Sequence, residues 1–307
     1  MGGFLRGPTL WFTERAAVRR LFTEHRLGRR FAARFVAGDT LEDATRVAGG
    51  LRASGIRTML NHLGEDVASP AQAAAATDAY VRGLKRIHEH PELDADVSVK
   101  LTQLGLDVSS ELCRENMERV LQAAFGTLVM IDMESRHYVE RTIEMYLGLR
   151  DRFPKLGICL QAALHRTPED AARIGRPDAI VRMCKGAYLE PPEAALQGRG
   201  EIRSAYARLA AGLLAAGSVV HVATHDRRLV AGAEKFLHTR SLARERYEFQ
   251  MLYGIRRDLQ AALVARGEPV RVYVPYGTEW YPYLTRRLAE RPGNIWFFVS
   301  NALRRAG

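Results

Sequence analysis

The sequence predicts a (β/α)8 TIM-type barrel, an α/β fold in which eight parallel strands form a closed ring and a helix follows each strand. The first sign is the alternation of eight short apolar runs with longer amphipathic segments. The second is the make-up of these runs, whose apolar and β-branched residues are typical of strands buried on both faces. The alternative, an open doubly wound sheet, is disfavoured because no G-x-G-x-x-G follows a strand and no G-x-x-x-x-G-K-[ST] motif occurs.

The predicted strands and helices follow one another along the chain. The apolar runs span residues 56–65, 95–105, 126–134, 156–164, 178–188, 217–226, 247–254 and 270–277. Capping signals at Ser69-Pro70, Ser109-Ser110 and Thr167-Pro168 mark the starts of three helices between them. Helical patterns also predict helices over 136–152, 201–216, 227–245 and 254–266, the first of them stopped by Pro154.

The first 50 residues contain no strand pattern. Residues 15–36 and 39–55 are typical of helices, and no linker rich in proline, glycine or serine follows them. We therefore predict an N-terminal helical extension over 1–50 and a catalytic barrel over 51–307. The final helix follows the last strand directly, so we expect it to lean over the mouth of the barrel, the end at which the strands terminate.

Composition limits the class of protein. Hydrophobic residues make up 47% of the chain, enough for a sizeable core. The three cysteines form no C-x-x-C pair, which argues for a reducing compartment and against a disulfide framework or a structural zinc site. Charges interrupt the N-terminal apolar stretch too early for a secretory signal. The longest stretch without charged residues, 209–225, is shorter than the roughly 20 residues of a membrane helix. We expect a cytoplasmic protein.

The chain is basic, with a net charge of +10 and a pI of about 9.8. Such a charge can attract nucleic acid or anionic lipid. Only five of the 45 basic residues are lysine, and the arginines are scattered over the helices without a long run. We therefore expect no nucleic-acid partner. A basic RNA-binding or scaffold protein is the non-enzymatic alternative, and it predicts salt-sensitive nucleic-acid binding.

Polar residues lie inside or just after nearly every predicted strand. In a (β/α)8 barrel the active site lies at the carboxyl ends of the strands. A charged residue inside an apolar strand is costly unless it is paired or ligated, so a ring of such residues predicts a shared site. The ring comprises Asn61, His62 and Glu65; Lys100 and Gln103; Asp132 and Glu134; Gln161; Arg182, Lys185 and Tyr188; His221, Thr224, His225 and Asp226; Gln250 and Tyr253; and Tyr273, Tyr276 and Thr278.

Three kinds of chemistry fit this ring. A lysine, either Lys100 or Lys185, can form a Schiff base, but nothing singles out one of them. A metal site built from the histidines and aspartates is less favoured, because His221 and His225 lie four residues apart on a strand and no His-x-His pair occurs. The third option is an organic cofactor such as a flavin. Its carbonyls and ring nitrogens could be bound by donors on three neighbouring strands, namely Gln161, Arg182, Lys185, Thr224 and His225.

The final helix gives a clue to the substrate. Four residues fall on one helix face at positions i, i+3, i+4 and i+7, namely Tyr283, Arg286, Arg287 and Glu290. The apolar stripe towards the barrel is expected from Leu284 and Leu288. On this helix alone, a solvated surface face is an equally good interpretation. Placed over the mouth, the two guanidinium groups would instead clamp a carboxylate.

Several of these segments together resemble proline dehydrogenases. The segments DVSVKLTQLG, IDMES, IVRMCKGAYLE, VVHVATHD and YEFQMLYG look like that family's successive strand ends, in the same order. VYVPYGTEWYPYLTRRLAE resembles its last strand and helix, and the match spans about residues 55–300. The resemblance implies a flavoprotein with a (β/α)8 barrel that uses FAD to oxidise L-proline to 1-pyrroline-5-carboxylate and passes the electrons to a membrane quinone. The short length is similar to that of single-function bacterial members.

The resemblance implies one set of substrate-binding residues and one set of cofactor-binding residues. It implies no metal. Arg286, Arg287 and Lys100 would bind the proline carboxylate; Tyr188, Tyr273, Tyr283, Leu252 and Asp132 would line the ring pocket; and Glu65 would pair with an arginine of the final helix and close the mouth. Gln161, Arg182, Lys185, Gly186, Ala187, Thr224, His225 and Gln250 would contact FAD, with Arg182 near the flavin N5 and Glu290 towards the cofactor side.

This chain departs from the family pattern at two places. Leu189 stands where a tryptophan is common after KGAY, and the loop between Gly277 and Tyr283 is short, so the lid over the flavin is expected to differ.

The resemblance also implies two partners. The quinone would be reached by transient contact at the inner face of the membrane, and 1-pyrroline-5-carboxylate dehydrogenase would be contacted transiently. The alternative function is a Schiff-base or metal-dependent barrel lyase or hydrolase acting on a small carboxylate. The oligomeric state stays open.

Overall fold

Eight parallel strands close into one barrel. The computed structural model describes residues 26–64 and 67–290, and within these ranges the strands pair in chain order around the ring. They are β1 (Arg57–His62), β2 (Ala95–Val99), β3 (Val129–Ile131), β4 (Leu156–Gln161), β5 (Ile180–Cys184), β6 (Val219–Ala223), β7 (Tyr247–Leu252) and β8 (Val270–Tyr276). Pairing of β1 with β8 closes the ring. The predicted (β/α)8 fold is confirmed.

A helix follows each strand, and within the described residues two helices precede the barrel. The α-helices of the described ranges are α1 (Arg26–Ala32), α2 (Leu41–Ala53), α3 (Pro70–Glu89), α4 (Ser110–Ala124), α5 (Val139–Leu149), α6 (Thr167–Ile174), α7 (Arg199–Ala215), α8 (Arg227–Thr239), α9 (Arg257–Ala265) and α10 (Tyr281–Glu290). Short 3-10 helices occupy Pro91–Leu93, Arg136–Tyr138 and Arg244–Arg246. Helices α3 to α9 each return the chain to the next strand. Helix α10 is the last element of the described part of the chain.

Two of the three predicted helix starts carry a side-chain cap in the structure, whereas Thr167 is already the first residue of α6, which has no side-chain cap. The Ser69 side chain accepts a hydrogen bond from the backbone N–H of Gln72, and the Ser109 side chain accepts one from the backbone N–H of Leu112. Each bond satisfies an amide that has no partner inside the helix, which stabilises the helix start by about 1 kcal/mol.

Three of the helices predicted between strands differ from the structure by three or more residues at an end. The helix predicted over 254–266 begins only at Arg257, because Arg256 adopts a left-handed backbone with a φ of 53°. The segment predicted as helical over 136–152 begins as a 3-10 turn, and α5 ends at Leu149. The helix predicted over 227–245 ends at Thr239, because Ser241 adopts a left-handed backbone with a φ of 49°. A residue in that conformation cannot continue a right-handed helix.

The two faces of the barrel strands pack differently. Outward residues such as Val97 and Ile131 are buried against the helices in one continuous apolar core. Many inward residues are polar or charged. At the amino end of the strands, Arg271 lies 2.8 Å from Glu248 and 2.7 Å from Asp96. Because these charges are paired, the barrel can hold them away from water, and they form a floor beneath the mouth.

The N-terminal segment is attached to the carboxyl ends of β7 and β8. The amide of Ala37 donates to the carbonyl oxygen of Pro275 at 2.9 Å. Gly254, just after β7, has a φ of 74°, and a Cβ at this position would overlap the carbonyl oxygen of Arg34. Glycine is therefore required at 254 for the two backbones to meet. This contact brings α1 to the mouth of the barrel.

Helix α2 packs on the outside of the barrel. Its Ala44 and Ala48 are fully buried in the barrel's apolar core. The predicted boundary between residues 50 and 51 therefore falls inside a helix that ends at Ala53. None of the helices in the described ranges has both the length and the apolar character that a membrane span requires.

Candidate active site

A buried ion pair lies at the centre of the ring of polar residues. The Arg182 guanidinium on β5 donates to the Asp132 carboxylate, directly after β3, at 2.5 Å. Asp132 also accepts from the Tyr273 hydroxyl on β8 and from Ser98 Oγ on β2, each at 2.7 Å. The Arg182 and Asp132 side chains are 7% and 14% exposed, so each depends on the other for its charge to be compensated. The structure thus brings together three predicted site residues from three strands.

Arg182 is also held from its other sides. Its Nε donates to Gln250 Oε1 on β7 at 2.7 Å, and an Nη donates to the Met59 sulfur on β1. The guanidinium carbon lies 5.5 Å from the centroid of the Tyr273 ring, within the range of a cation–π contact. Together with Asp132 and Ser98, these groups fix the guanidinium in one position inside the barrel.

Tyr273 serves as a hydrogen-bond donor in this cluster. Burial raises the pKa of its phenol well above the ordinary value, and the neighbouring Asp132 carboxylate raises that pKa further. The hydroxyl therefore keeps its proton at neutral pH and donates a hydrogen bond to Asp132.

The ends of β4 and β5 pack closely together. Gln161 Nε2 donates to the carbonyl oxygen of Glu134 at 2.7 Å, which directs its Oε1 towards the backbone N–H of Ala187 at 3.3 Å. Gly186 has a φ of 116°, and a Cβ at this position would lie 3.3 Å from Gln161 Oε1 and 3.4 Å from the Ala163 Cβ. Glycine at 186 therefore lets the loop after β5 lie directly against the Gln161 amide, and these two groups together are called the cradle.

The side chain of Lys185 is joined to the edge of the site. Its Nζ lies 2.6 Å from an Asp226 carboxylate oxygen, and Arg203 of α7 lies 3.6 Å from the same oxygen. The other oxygen of Asp226 caps α8 by accepting from the backbone N–H of Arg228 at 3.0 Å. The ion pair therefore ties the loops after β5 and β6 together. A Schiff-base lysine needs a neutral, desolvated amine, whereas Lys185 is ion-paired and 36% exposed.

The ends of β6 and β7 place three further predicted residues close together. His225 Nε2 accepts from the backbone N–H of Leu252 at 2.9 Å, and the Thr224 hydroxyl accepts from the backbone N–H of Asp226 at 3.2 Å. Thr224 is buried, while Leu252 and His225 are half-buried at the same edge. On the other side of the ring, Lys100 follows β2 on the inward face and is 7% exposed. Tyr188 is half-buried in the loop after β5.

The first turns of α10 are buried under the N-terminal segment. Tyr283 and Leu284 both belong to an apolar cluster that includes Phe35 of the segment after α1 and is contacted by Tyr273. Arg286 and Arg287 are half-buried, and the Arg287 guanidinium carbon lies 5.5 Å from the centroid of the Tyr283 ring. The helix face that carries the arginines is therefore not a fully solvated surface. The segment around α1 covers it in part.

Some predicted positions lie outside what the structure describes. Glu65 falls between the two described ranges, and the side chains of Leu288 and Glu290 at the end of α10 are likewise not described. The roles assigned to these residues stay predictions.

A second polar layer lies directly below Arg182. Gln250 Nε2 approaches His221 Nδ1 at 2.8 Å and Glu248 Oε1 at 2.9 Å. Burial lowers the pKa of His221 to about 4, so its ring is neutral near pH 7. Burial opposes ionisation of Glu248, but Arg271 outweighs it and brings the pKa of that carboxyl to about 2. The layer is therefore a neutral imidazole beside a carboxylate that is paired with arginine.

Several contributors to this geometry were absent from the predicted set of site residues. Ser98 precedes Lys100 by two residues, so strand alternation places both on the inward face, which is a usable signal. Met59 carries no polar signal, and its contact with Arg182 follows only from closure of the barrel. Within the part of the chain that the structure describes, no three His, Cys, Asp or Glu side chains are grouped as a metal ion would require.

Comparison with known proteins identifies the family. The sequence profile described as proline dehydrogenase matches residues 44–298. The chain belongs to the proline dehydrogenase family. It is 36% identical over 282 residues to proline dehydrogenase 1 of Bacillus subtilis, a match covering 91% of this chain and 92% of that protein. It is 37% identical over 280 residues to the proline dehydrogenase of Deinococcus radiodurans, covering 89% of this chain and 90% of that one. The predicted resemblance is confirmed, and the chain is an enzyme of this family.

A solved structure shares the barrel. Proline utilization A from Bdellovibrio bacteriovorus, inactivated by N-propargylglycine, matches with a TM-score of 0.80 at 23% identity. The match covers 93% of this chain and 36% of that protein, so this family member spans about a third of the larger chain. At this identity the likeness shows the common fold.

Proposed function

We propose that this family member oxidises L-proline to 1-pyrroline-5-carboxylate, with FAD as the resident hydride acceptor and a membrane quinone as the final electron acceptor. The observation that carries the proposal is the Arg182 guanidinium, buried and immobilised by Asp132 and Gln250 at the carboxyl ends of the strands. A fixed buried cation stabilises negative charge on a ring that accepts electrons. The names of the relatives in Bacillus and Deinococcus support proline as the substrate.

The residues present fit a flavin. The Gly186 backbone and the fixed Gln161 amide of the cradle could hydrogen-bond the edge of its ring, and Arg182 on β5 would supply a cation. When bound, FAD would supply an N5 atom that accepts a hydride. The proposed cofactor-binding set is Gln161, Arg182, Lys185, Gly186, Ala187, Thr224, His225 and Gln250, with Glu290 assigned by resemblance.

Basic side chains suit the substrate carboxylate. Arg286 and Arg287 are half-buried on α10, and Lys100 is buried after β2. A guanidinium group binds a carboxylate through two parallel, charge-assisted hydrogen bonds, and partial burial strengthens them. The apolar ring of proline would be lined by Tyr273 and Tyr283, together with Tyr188 and Leu252.

The same cations would act on the ring nitrogen of proline. Oxidation takes a hydride from the ring carbon next to the nitrogen, which leaves a protonated carbon–nitrogen double bond. Release of the N–H proton to water then gives the neutral imine. The nitrogen must be neutral for its lone pair to assist loss of the hydride. Positive charge on Arg286, Arg287 and Lys100 disfavours the ammonium form and so lowers the pKa of the substrate amine. Asp132, which already accepts from three donors, anchors Arg182 and Tyr273.

The proposed electron acceptor sets where the enzyme works. A quinone is confined to lipid, so reducing it requires contact with the membrane surface. The net charge of +10 favours transient binding to an anionic surface. We propose a cytoplasmic enzyme that acts at the inner face of the membrane and transfers its product in transient contact with 1-pyrroline-5-carboxylate dehydrogenase.

Anaerobic titration with L-proline tests the proposal. The purified protein should be yellow, or become so with added FAD, and L-proline should bleach the flavin absorbance. A protein that stays colourless with added FAD would refute the flavin proposal. Trapping of a substrate adduct on Lys100 or Lys185 by borohydride would instead support the Schiff-base alternative.

A further inference from the structure

Two buried side chains with no role in the proposed site, His221 of the polar ring and Glu248, are connected to Arg182 through Gln250. The Gln250 amide nitrogen lies 2.8 Å from His221 Nδ1 and 2.9 Å from Glu248 Oε1. The Gln250 amide oxygen accepts from Arg182 Nε at 2.7 Å. None of the four side chains belongs to a residue more than 5% exposed, so water does not compete for these bonds.

The two lower partners determine which way the Gln250 amide points. An amide nitrogen carries two hydrogens and its oxygen only accepts. Arg182 can only donate and the Glu248 carboxylate can only accept, so the nitrogen must face down and the oxygen must face Arg182. His221 Nδ1 is then the second acceptor for the amide nitrogen. A rotated amide would place N–H against the N–H of Arg182 and its oxygen against two acceptors, which costs the hydrogen bonds of every group involved.

The charge states of the lower partners agree with this orientation. Glu248 is a carboxylate because Arg271 lies 2.8 Å from it. Burial keeps His221 neutral, so Nδ1 can accept while Nε2 carries the ring proton. The charged groups that act on His221 come from four strands and include Glu248 on β7, Arg271 on β8, Arg182 on β5 and Arg57 on β1.

We propose that His221 and Glu248 are positioning residues that hold the Gln250 amide in one orientation, fix the Arg182 guanidinium beneath the cofactor and thereby raise the reduction potential of the flavin. The inference rests on the proposed function, because it requires FAD to lie against Arg182. A guanidinium held in place stabilises the anionic reduced ring, whereas one that can rotate or withdraw stabilises it less. Arginine does not release its proton in a protein, so the chain acts through position and charge.

Substitution of His221 separates positioning from simple packing. His221→Leu fills similar space without an acceptor, and His221→Asn keeps an acceptor near the place of Nδ1. The flavin midpoint potential of each holoenzyme is measured anaerobically against redox dyes, together with kcat and KM for L-proline. We expect His221→Leu to shift the flavin equilibrium about tenfold towards the oxidised form, which is about 30 mV for a two-electron couple. We expect kcat to fall with KM nearly unchanged, and His221→Asn to restore both kcat and the potential.

Tyr206→Phe is the matched control. The Tyr206 hydroxyl is buried and donates to the carbonyl oxygen of Met183 at 2.9 Å, without contact to Arg182, so its loss should leave the potential unchanged. His221→Ala replaces the leucine variant if that one does not fold. The inference would be overturned if the leucine and alanine variants kept the wild-type flavin potential, or if the potential of the asparagine variant were as low as that of the leucine variant. Either result would leave the proposed function standing. A wild-type protein that takes up no flavin would overturn the inference and the proposed function together.

Discussion

Asparagine at position 132 would remove the charge that holds Arg182 while keeping the size of the side chain. Asp132 accepts from Arg182 at 2.5 Å and from Tyr273 and Ser98 at 2.7 Å. Asparagine offers one oxygen to these three donors, and its NH2 group must face at least one of them. Arg182 would stay 7% exposed without its counter-charge. Removing one partner of a buried pair costs about 3–5 kcal/mol. We expect about 3 kcal/mol, because Gln250 and Ser98 still bind the guanidinium.

Urea denaturation followed by circular dichroism measures this effect on the free energy of unfolding, and it does so without cofactor. The set is wild type, Asp132→Asn, Arg182→Met and the double variant. The double variant should be more stable than the sum of the single losses predicts, by about 1–3 kcal/mol, because no buried charge is left unpaired. Asp78→Asn is the control: its pair with Arg119 is about half exposed, so the loss should stay below about 1 kcal/mol. A loss below about 1 kcal/mol for Asp132→Asn, or strict additivity in the cycle, would refute the reasoning.

Three further predictions address the substrate, the cofactor and pH. Arg286→Met or Arg287→Met should raise KM for L-proline about 10- to 100-fold, since each removes a charge-assisted hydrogen bond, while the flavin spectrum is unchanged; steady-state kinetics showing wild-type KM in both would contradict the clamp. Gly186→Ala should weaken FAD binding, because φ is 116° and strain there costs about 1–3 kcal/mol; equal FAD dissociation constants would count against the cradle. His221 and Glu248 both have lowered pKa values in the folded state, so the unfolded chain binds their protons more tightly. The free energy of unfolding should therefore decrease as the pH is lowered, between about 6.5 and 4 for His221 and between about 4.5 and 2 for Glu248. Unfolding free energies measured across this range should lose the lower step in Glu248→Gln, and a persisting step would assign it elsewhere.

The barrel was predictable because its signal is local. Each of the eight strands lies inside a predicted apolar run, because the outward residues of the strands are buried against the helices in the apolar core. Helix starts at Ser69 and Ser109 were predictable for the same reason, because a cap acts on its own first turn. The end of α8 was not, because the left-handed turn at Ser241 has no glycine to mark it.

The direction of side chains beyond the strands was less predictable. Lys185 follows β5 among the cofactor candidates, yet its amine pairs with Asp226 of the next loop. The helical pattern of α10 placed Tyr283 and Leu284 on different faces, but both are buried because the segment around α1 packs over them. In each case the partner comes from a distant part of the chain.

By itself the sequence determined the order of strands and helices, the polar ring at the strand ends and the family. The polar ring follows from the alternation of side chains between the two faces of a strand. The order of elements follows from apolar runs and from caps next to the helices. The family follows from the order of its sequence segments along the chain. Only the tertiary structure decided that Arg182 pairs with Asp132, 50 residues away, and that Tyr273, 141 residues from Asp132, completes the cluster. It also decided that His221 and Glu248 stand behind Gln250. The physical reason is closure of the barrel, because joining β8 to β1 converts eight separate inward faces into one shared interior whose pairings no local pattern specifies.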